Sequence, residues 1–260
     1  MFRLTREVRF SINPDSDDQL ARKPTNSFGG FPTMTGLGRF YTLRVTLAGR
    51  LDPQSSYLRN IKEVDELIRA QAIPFITSFS GTAESLVANH LYPTLRNAWP
   101  GVTLDRLELL LTPFLLLSVT ASEFPMIRLT QKFEFSASHR LHSPALSDEE
   151  NRKRFGKCNN PQGHGHNYEL AVTLAASSPD QPLLKSLPDF ERIVAHTVID
   201  RLDHKNLNAE VPEFREIIPT VENIAMVIYR LLKPKLHESA AKLASVTVWE
   251  TPKTWCEYSE

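Results

Sequence analysis

The chain repeats itself. FRLTREVRFSIN (Phe2 to Asn13) is answered by IRLTQKFEFSAS (Ile127 to Ser138), with Arg-Leu-Thr identical. YTLRVTLAG (Tyr41 to Gly49) is answered by YELAVTLAA (Tyr168 to Ala176). Just before these, FGGFPTMTGLGRFY (Phe28 to Tyr41) and FGKCNNPQGHGHNY (Phe155 to Tyr168) share Phe, Gly, Gly, Gly and Tyr at the same places. A repeat constrains the fold more than local propensity does, because one architecture must serve both copies.

The repeated segments then predict that architecture. Apolar and polar residues alternate in the paired stretches, the period of a half-buried strand. Helical spacing follows in both halves: Leu58, Ile61, Val64, Leu67 and Ile68, then Phe190, Ile193, Val194, Thr197 and Val198. A second helix is expected after Thr82 and after Thr220, where a hydroxyl can accept from a free amide of the first turn. Each half closes on two short strands broken by Thr-Pro, at Thr112-Pro113 and Thr251-Pro252. The expectation is an α+β chain of two tandem domains, residues 1–122 and 126–260, divided near TASEFPM (Thr120 to Met126). Each domain is expected to be a four-stranded antiparallel sheet with two helices on one face.

Composition excludes several functions. Lys+Arg and Asp+Glu stand at 30 each, so no overall field draws the chain to nucleic acid or to an anionic membrane. The most apolar run, Leu107 to Val119, is too short to span a bilayer and reads as two buried strands joined by a turn. MFRLTREVRF carries no apolar run of the secretory kind. Cys158 and Cys256 cannot build a disulfide framework, and the expected compartment is the cytoplasm.

Chemistry is confined to the second half. Seven of the eight histidines follow residue 138. His164 and His166 are two apart, so on a strand both imidazoles point to one face and can meet one metal, with His139 as third candidate. Three imidazoles would leave a tetrahedral zinc one open position; two surface histidines on a strand is the alternative. Cys158, beside Lys157, is placed for a lowered thiol pKa, whereas Cys256 reads as packing. Asp203 beside His204 at a helix end fits a carboxylate that fixes an imidazole tautomer, or a turn with a solvated histidine. Glu250, after the alternating Val246 and Val248, either faces solvent or accepts from the N–H edge of a heterocycle.

These motifs, in this order, resemble the 6-pyruvoyl-tetrahydropterin synthase family. The resemblance covers about Ile127 to Tyr258 and is carried by FSASHRLHSPALSDEENRKRFGKCNNPQGHGHNY, LDHKNLN, PTVENIA and ETPKTWCEY. It implies the T-fold, whose sheets assemble side by side into barrels. It also implies zinc on His139, His164 and His166, with Cys158 as general base. Asp203 and His204 would complete a proton relay from a neighbouring domain, and Glu250 would anchor a pterin ring with Thr220 nearby. The implied substrate is the small molecule 7,8-dihydroneopterin triphosphate, whose side-chain hydroxyls the zinc would coordinate while triphosphate leaves. A sister activity in the family, 6-carboxytetrahydropterin synthase, acts on the same substrate and releases acetaldehyde. Its members often carry Cys-x-x-x-His-Gly-His, whereas here five residues separate Cys158 from His164. A third reading is a non-catalytic pterin- or metal-binding assembly protein. The sequence departs from the family in ASSPDQPLLKSLPDF, where an Asp-Pro turn is usual; the first half has that turn, at Asp52-Pro53.

The first half lacks the reactive residues. Pro14 stands opposite His139, Phe31 opposite Cys158, and Leu37 and Arg39 opposite His164 and His166. None of the first three can hold a metal or take a proton, so this copy is expected to be catalytically silent. Three such chains would supply the six domains of two stacked three-domain barrels, a homotrimer mimicking a hexamer. Arg39 is the candidate to fill the vacated metal position.

Overall fold

The alternating stretches are strands in the computed structural model, which describes residues 1–14, 28–176, 187–236 and 241–260. The atypical approach loop noted above falls largely at 177–186, outside the described residues. The chain divides into two units, one holding Met1–Leu129 and the other Thr130–Ala175 with the stretch that ends at Glu260.

In the first unit β1 (Phe2–Ile12), β2 (Arg39–Gly49), β3 (Thr103–Thr112) and β4 (Leu115–Thr120) pair antiparallel in that order. Alternation sends Val8 and Phe10, Leu43, Val45 and Leu47, Leu107 and Leu109, and Leu117 and Val119 into the core. Two helical runs separate β2 from β3. Ile61–Leu67 continues through a widened turn, Ile68–Ala72, into Ile73–Ser78. Ala83–Ser85 continues through Leu86–Leu91 into Tyr92–Leu95. Both widened turns precede a proline, Pro74 or Pro93. Proline offers no N–H to the carbonyl four residues back, and a wider turn accommodates the missing bond. Thr82 caps its helix as expected, accepting from Ser85 N at 3.2 Å.

In the second unit β5 (Ile127–His139) lies beside β6 (His164–Ala176), which pairs antiparallel with β8 (Lys242–Thr251), and that with β9 (Thr254–Tyr258). The helix Val221–Leu232 packs on β8 and β9 through Ile224, Ala225, Val227 and Ile228. Its cap is Thr220, which accepts from Asn223 N at 3.4 Å.

This unit holds more than two helices and four strands. A two-residue strand β7 (Lys205–Asn206) joins β5 in parallel, and a helix Asp148–Phe155 sits between β5 and β6. That helix opens on a capping box: Ser147 accepts from Glu150 N at 3.3 Å while Glu150 accepts from Ser147 N at 2.8 Å. Asn151 on its buried side ties down the preceding loop. Its Oδ1 accepts from Ser143 N, and its Nδ2 donates to the carbonyls of Ser143, Leu146 and Ser147, all within 3.0 Å. Alanine there would orphan several buried groups at once. Asn151→Ala is therefore expected to destabilise the protein by at least about 2 kcal/mol. Denaturant unfolding would measure this, and an unchanged midpoint would remove Asn151 as the anchor.

Candidate metal centre

The core rows of the second unit end in polar side chains. On β5 the inward positions run Phe135, Ala137, His139, all buried. On β6 they run Leu170, Tyr168, His166, His164, and on β8 Val246, Val248, Glu250. Period-2 geometry therefore delivers three imidazoles and one carboxylate to the same end of one core. Their ligand atoms lie within 4.8 Å of one another. His139 Nε2 is 3.1 Å from His164 Nε2 and 3.2 Å from Glu250 Oε1, and His166 Nε2 is 3.3 Å from the same oxygen. Gly163 permits the entry to β6: its φ is +71°, and a Cβ there would meet the His139 carbonyl oxygen at 2.9 Å.

The proton positions can be reasoned out. His139 is fully buried, and its Nδ1 lies 2.7 Å from the Pro219 carbonyl. A carbonyl only accepts, so Nδ1 carries a proton and Nε2 is the nitrogen that faces the cluster. Burial first, then the neighbouring imidazoles, pushes His164 below the ordinary imidazole range. Burial does the same to His166, against the pull of Glu250. Glu250 in turn is held below the usual carboxylate range, by His139 first and then, against the cost of burial, by the other imidazoles. Two imidazoles of lowered basicity, the inward Nε2 of His139 and an ionised carboxylate thus converge. His164 Nδ1 and His166 Nε2 are buried with no hydrogen-bond partner. Three ring nitrogens and a carboxylate oxygen within 4.8 Å of one another fit a divalent cation.

The remaining candidates lie at different places. Cys158 is half-buried in the short turn Gly156–Asn159, and its carbonyl accepts from Leu141 N at 2.9 Å. Asp203 Oδ2 lies 2.8 Å from His204 Nδ1, while its Oδ1 accepts from Ser136 N at 2.7 Å. Those two bonds, the backbone one first, hold its carboxyl below the usual range. His204 adopts φ +57°, and its side chain is 83 % exposed. Its own amide donates to Ser136 O, which docks the Asp203–His204 pair on the edge of β5. His166 and His204 both line an open groove of about 500 Å³ with Ser136, Ser138 and Asn167; Cys158 does not line it. Among the described residues no hydrogen bond links Cys158 to Asp203 or His204. Glu250 stands with the imidazoles rather than apart from them. Thr220 follows Pro219 and uses its hydroxyl oxygen as the helix cap.

Sequence reasoning missed the groups that hold these residues in place. Asn159 is buried and donates to Leu141 O at 2.7 Å; Asn208 clamps the main chain of Arg140 at 2.7 and 3.0 Å. In the first unit, Arg39 is an exposed residue at the start of β2. The cation beside Phe31 is instead Arg69, which donates to the Phe31 carbonyl and stands 5.4 Å over its ring.

Comparison with known proteins fits this half of the chain. The family model described as "6-pyruvoyl tetrahydropterin synthase" matches residues 128–260. The chain belongs to that family. The human 6-pyruvoyl tetrahydrobiopterin synthase is 43 % identical over 125 residues, 48 % of this chain and 85 % of the human protein. The 6-carboxy-5,6,7,8-tetrahydropterin synthase of Haemophilus influenzae is 26 % identical, over 52 % of this chain and all of that protein. A solved 6-pyruvoyl tetrahydropterin synthase from Caenorhabditis elegans is 37 % identical, covering 53 % of this chain and 98 % of its own, with a TM-score of 0.49. The family is one of lyases, and its match includes all four residues of the cluster.

Proposed function

We propose that the chain is a zinc-dependent lyase that converts 7,8-dihydroneopterin triphosphate to 6-pyruvoyl-tetrahydropterin, with release of triphosphate. The observation that carries this reading is the convergence of His139, His164 and His166 within the segment that matches the synthase family. Three nitrogen donors suit zinc, with Glu250 at the rim of the same site. Bound zinc supplies Lewis acidity that makes the C–H protons beside the substrate hydroxyls easier to remove.

The chain's own groups do the rest. Cys158, as thiolate, takes a proton from the substrate side chain. The Asp203 carboxylate fixes the His204 tautomer by holding Nδ1, which leaves Nε2 to exchange protons with the substrate. By the family resemblance, the Asp203–His204 pair that completes the relay comes from a neighbouring domain. Glu250 acts as the charged acceptor for the pterin N–H edge from its place beside the imidazoles, with Thr220 nearby.

The first unit, with Pro14, Phe31, Leu37 and Arg39 at the matching positions, is a degenerate and catalytically silent T-fold copy. Three chains would then form a trimer that mimics a hexamer, in the cytoplasm. A mass by sedimentation other than three chains would end that part of the reading. Among the described residues no helix is long and apolar enough to cross a membrane.

The 6-carboxy activity is the second reading, carried by the Haemophilus relative. The stronger likeness to the human synthase and the five residues between Cys158 and His164 favour the pyruvoyl product. Incubation of the purified chain with 7,8-dihydroneopterin triphosphate separates them by mass spectrometry. Triphosphate with the three-carbon side chain retained supports the first reading, and acetaldehyde with a carboxylated pterin supports the second. No turnover by zinc-loaded protein would reduce the chain to a binding protein.

A further inference from the structure

A second cavity, of about 350 Å³, is lined by Arg140, Asp148, Arg152, Lys157, Asn159 and Asn160. Three cations face one carboxylate there. Elsewhere on this unit several cations are paired: Arg192 with Asp189, Arg201 with Glu213, Lys132 with Glu169. Arg140, Arg152 and Lys157 have no carboxylate partner among the described residues. A third cavity, lined by Arg192, His196, Arg201 and Lys235, is also basic, but Asp189, Asp200 and Glu213 already take up the first three and leave one cation there rather than three.

Arg140 is held ready rather than loosely displayed. Its main chain is clamped by Asn208, and its guanidinium donates from Nε to Asn159 O at 3.1 Å and from Nη2 toward Asn159 Oδ1 at 3.5 Å. Both partners are neutral, so the guanidinium keeps its full charge and its remaining N–H groups for a ligand. The cavity also adjoins the chemistry along the chain. Arg140 follows His139, Lys157 and Asn159 flank Cys158, and the Leu141–Cys158 hydrogen bond ties the two segments together.

We propose that this cavity is a polyphosphate subsite. It would hold the phosphate chain of the substrate through Arg140, Arg152 and Lys157 while the carbon side chain lies at the metal. Phosphate oxygens are the acceptors that planar guanidinium groups and an ammonium suit best, and a volume at the low end of small-ligand sites fits a phosphate chain rather than a ring system. The assignment rests on the lyase reading for its physiological ligand, but not for its test.

The probe is inorganic tripolyphosphate, titrated calorimetrically into the purified zinc-loaded chain at low and moderate salt. The expected result is binding that weakens with salt and that Arg152→Glu weakens by about tenfold or more, a loss of one charge-assisted contact. Arg152→Lys is expected to recover part of it, and Arg192→Glu, at the other basic cavity, to leave it unchanged. In turnover assays Arg152→Gln is expected to raise KM about tenfold while kcat moves far less. Binding equal in wild type and Arg152→Glu, or lost in Arg192→Glu instead, would overturn the assignment. Tripolyphosphate binding that depends on Arg152 in a protein without turnover would support the subsite and reject the lyase reading.

Discussion

His139→Ala protein is expected to carry almost no zinc and to lose at least about a hundredfold in turnover, since disturbing a mere partner of a ligand already costs 10–100-fold in metal affinity or activity. The argument begins with burial. His139 is the one imidazole of the cluster with no exposed surface, and the Pro219 carbonyl fixes which nitrogen faces inward. Removing it takes away one donor and opens a void beside Tyr168, whose ring centroid lies 6.3 Å away. It also leaves Glu250 without the group that contributes most to keeping it ionised. The neighbours are then less suited to a cation as well, so the loss should exceed one third of the donor set. Elemental analysis and turnover on the same sample give the measurement. A variant that retains one zinc per chain would move the metal elsewhere. Circular dichroism separates loss of metal from loss of fold.

How far this centre could be read from the sequence depends on which interaction places each residue. His139 and the pair His164, His166 follow from strand period alone, because one-in-two spacing decides the face. Glu250 also occupies an inward position by that rule, next after Val246 and Val248. Its closeness to the imidazoles, however, is set by cross-strand register, and β6 against β8 shifts register between Thr173 and Leu174. No local pattern encodes that shift. The Asp148–Phe155 helix carries a legible start, since Ser147 and Glu150 have capping-box spacing, but the run that follows lacks the apolar stripe that marks a packed helix. The widened turns before Pro74 and Pro93 follow from proline's missing donor. The equivalent turn at Ala195–Ile199 contains no proline, and nothing in its sequence accounts for it. His204 is the opposite case from His139. Its left-handed backbone is uncommon for a residue with a Cβ, and it is held by tertiary bonds to Ser136 from both Asp203 and its own amide.

The second large effect separates chemistry from metal binding. Cys158→Ala is expected to lower kcat by about 10²–10⁴-fold, the range for a positioned acid or base, with zinc content unchanged. Cys158 lies outside the cluster of converging ligand atoms, so its loss removes no donor. The turn that carries it is held by main-chain bonds, Leu141 N to Cys158 O and Asn160 N to Lys157 O, and by the Asn159 side chain. None of these uses the thiol, so the fold should tolerate its removal. Cys158→Ser tests the same point more narrowly. It keeps size and hydrogen bonding but replaces a thiol with a hydroxyl, which ionises far less readily, so activity should stay low and the remaining rate should climb with pH. A serine variant with nearly full activity would mean that the proton leaves by another route, and the base would have to be sought among His166, His204 and Glu250. Loss of zinc together with activity would instead make Cys158 part of the metal site and reduce the three-imidazole assignment to an incomplete one.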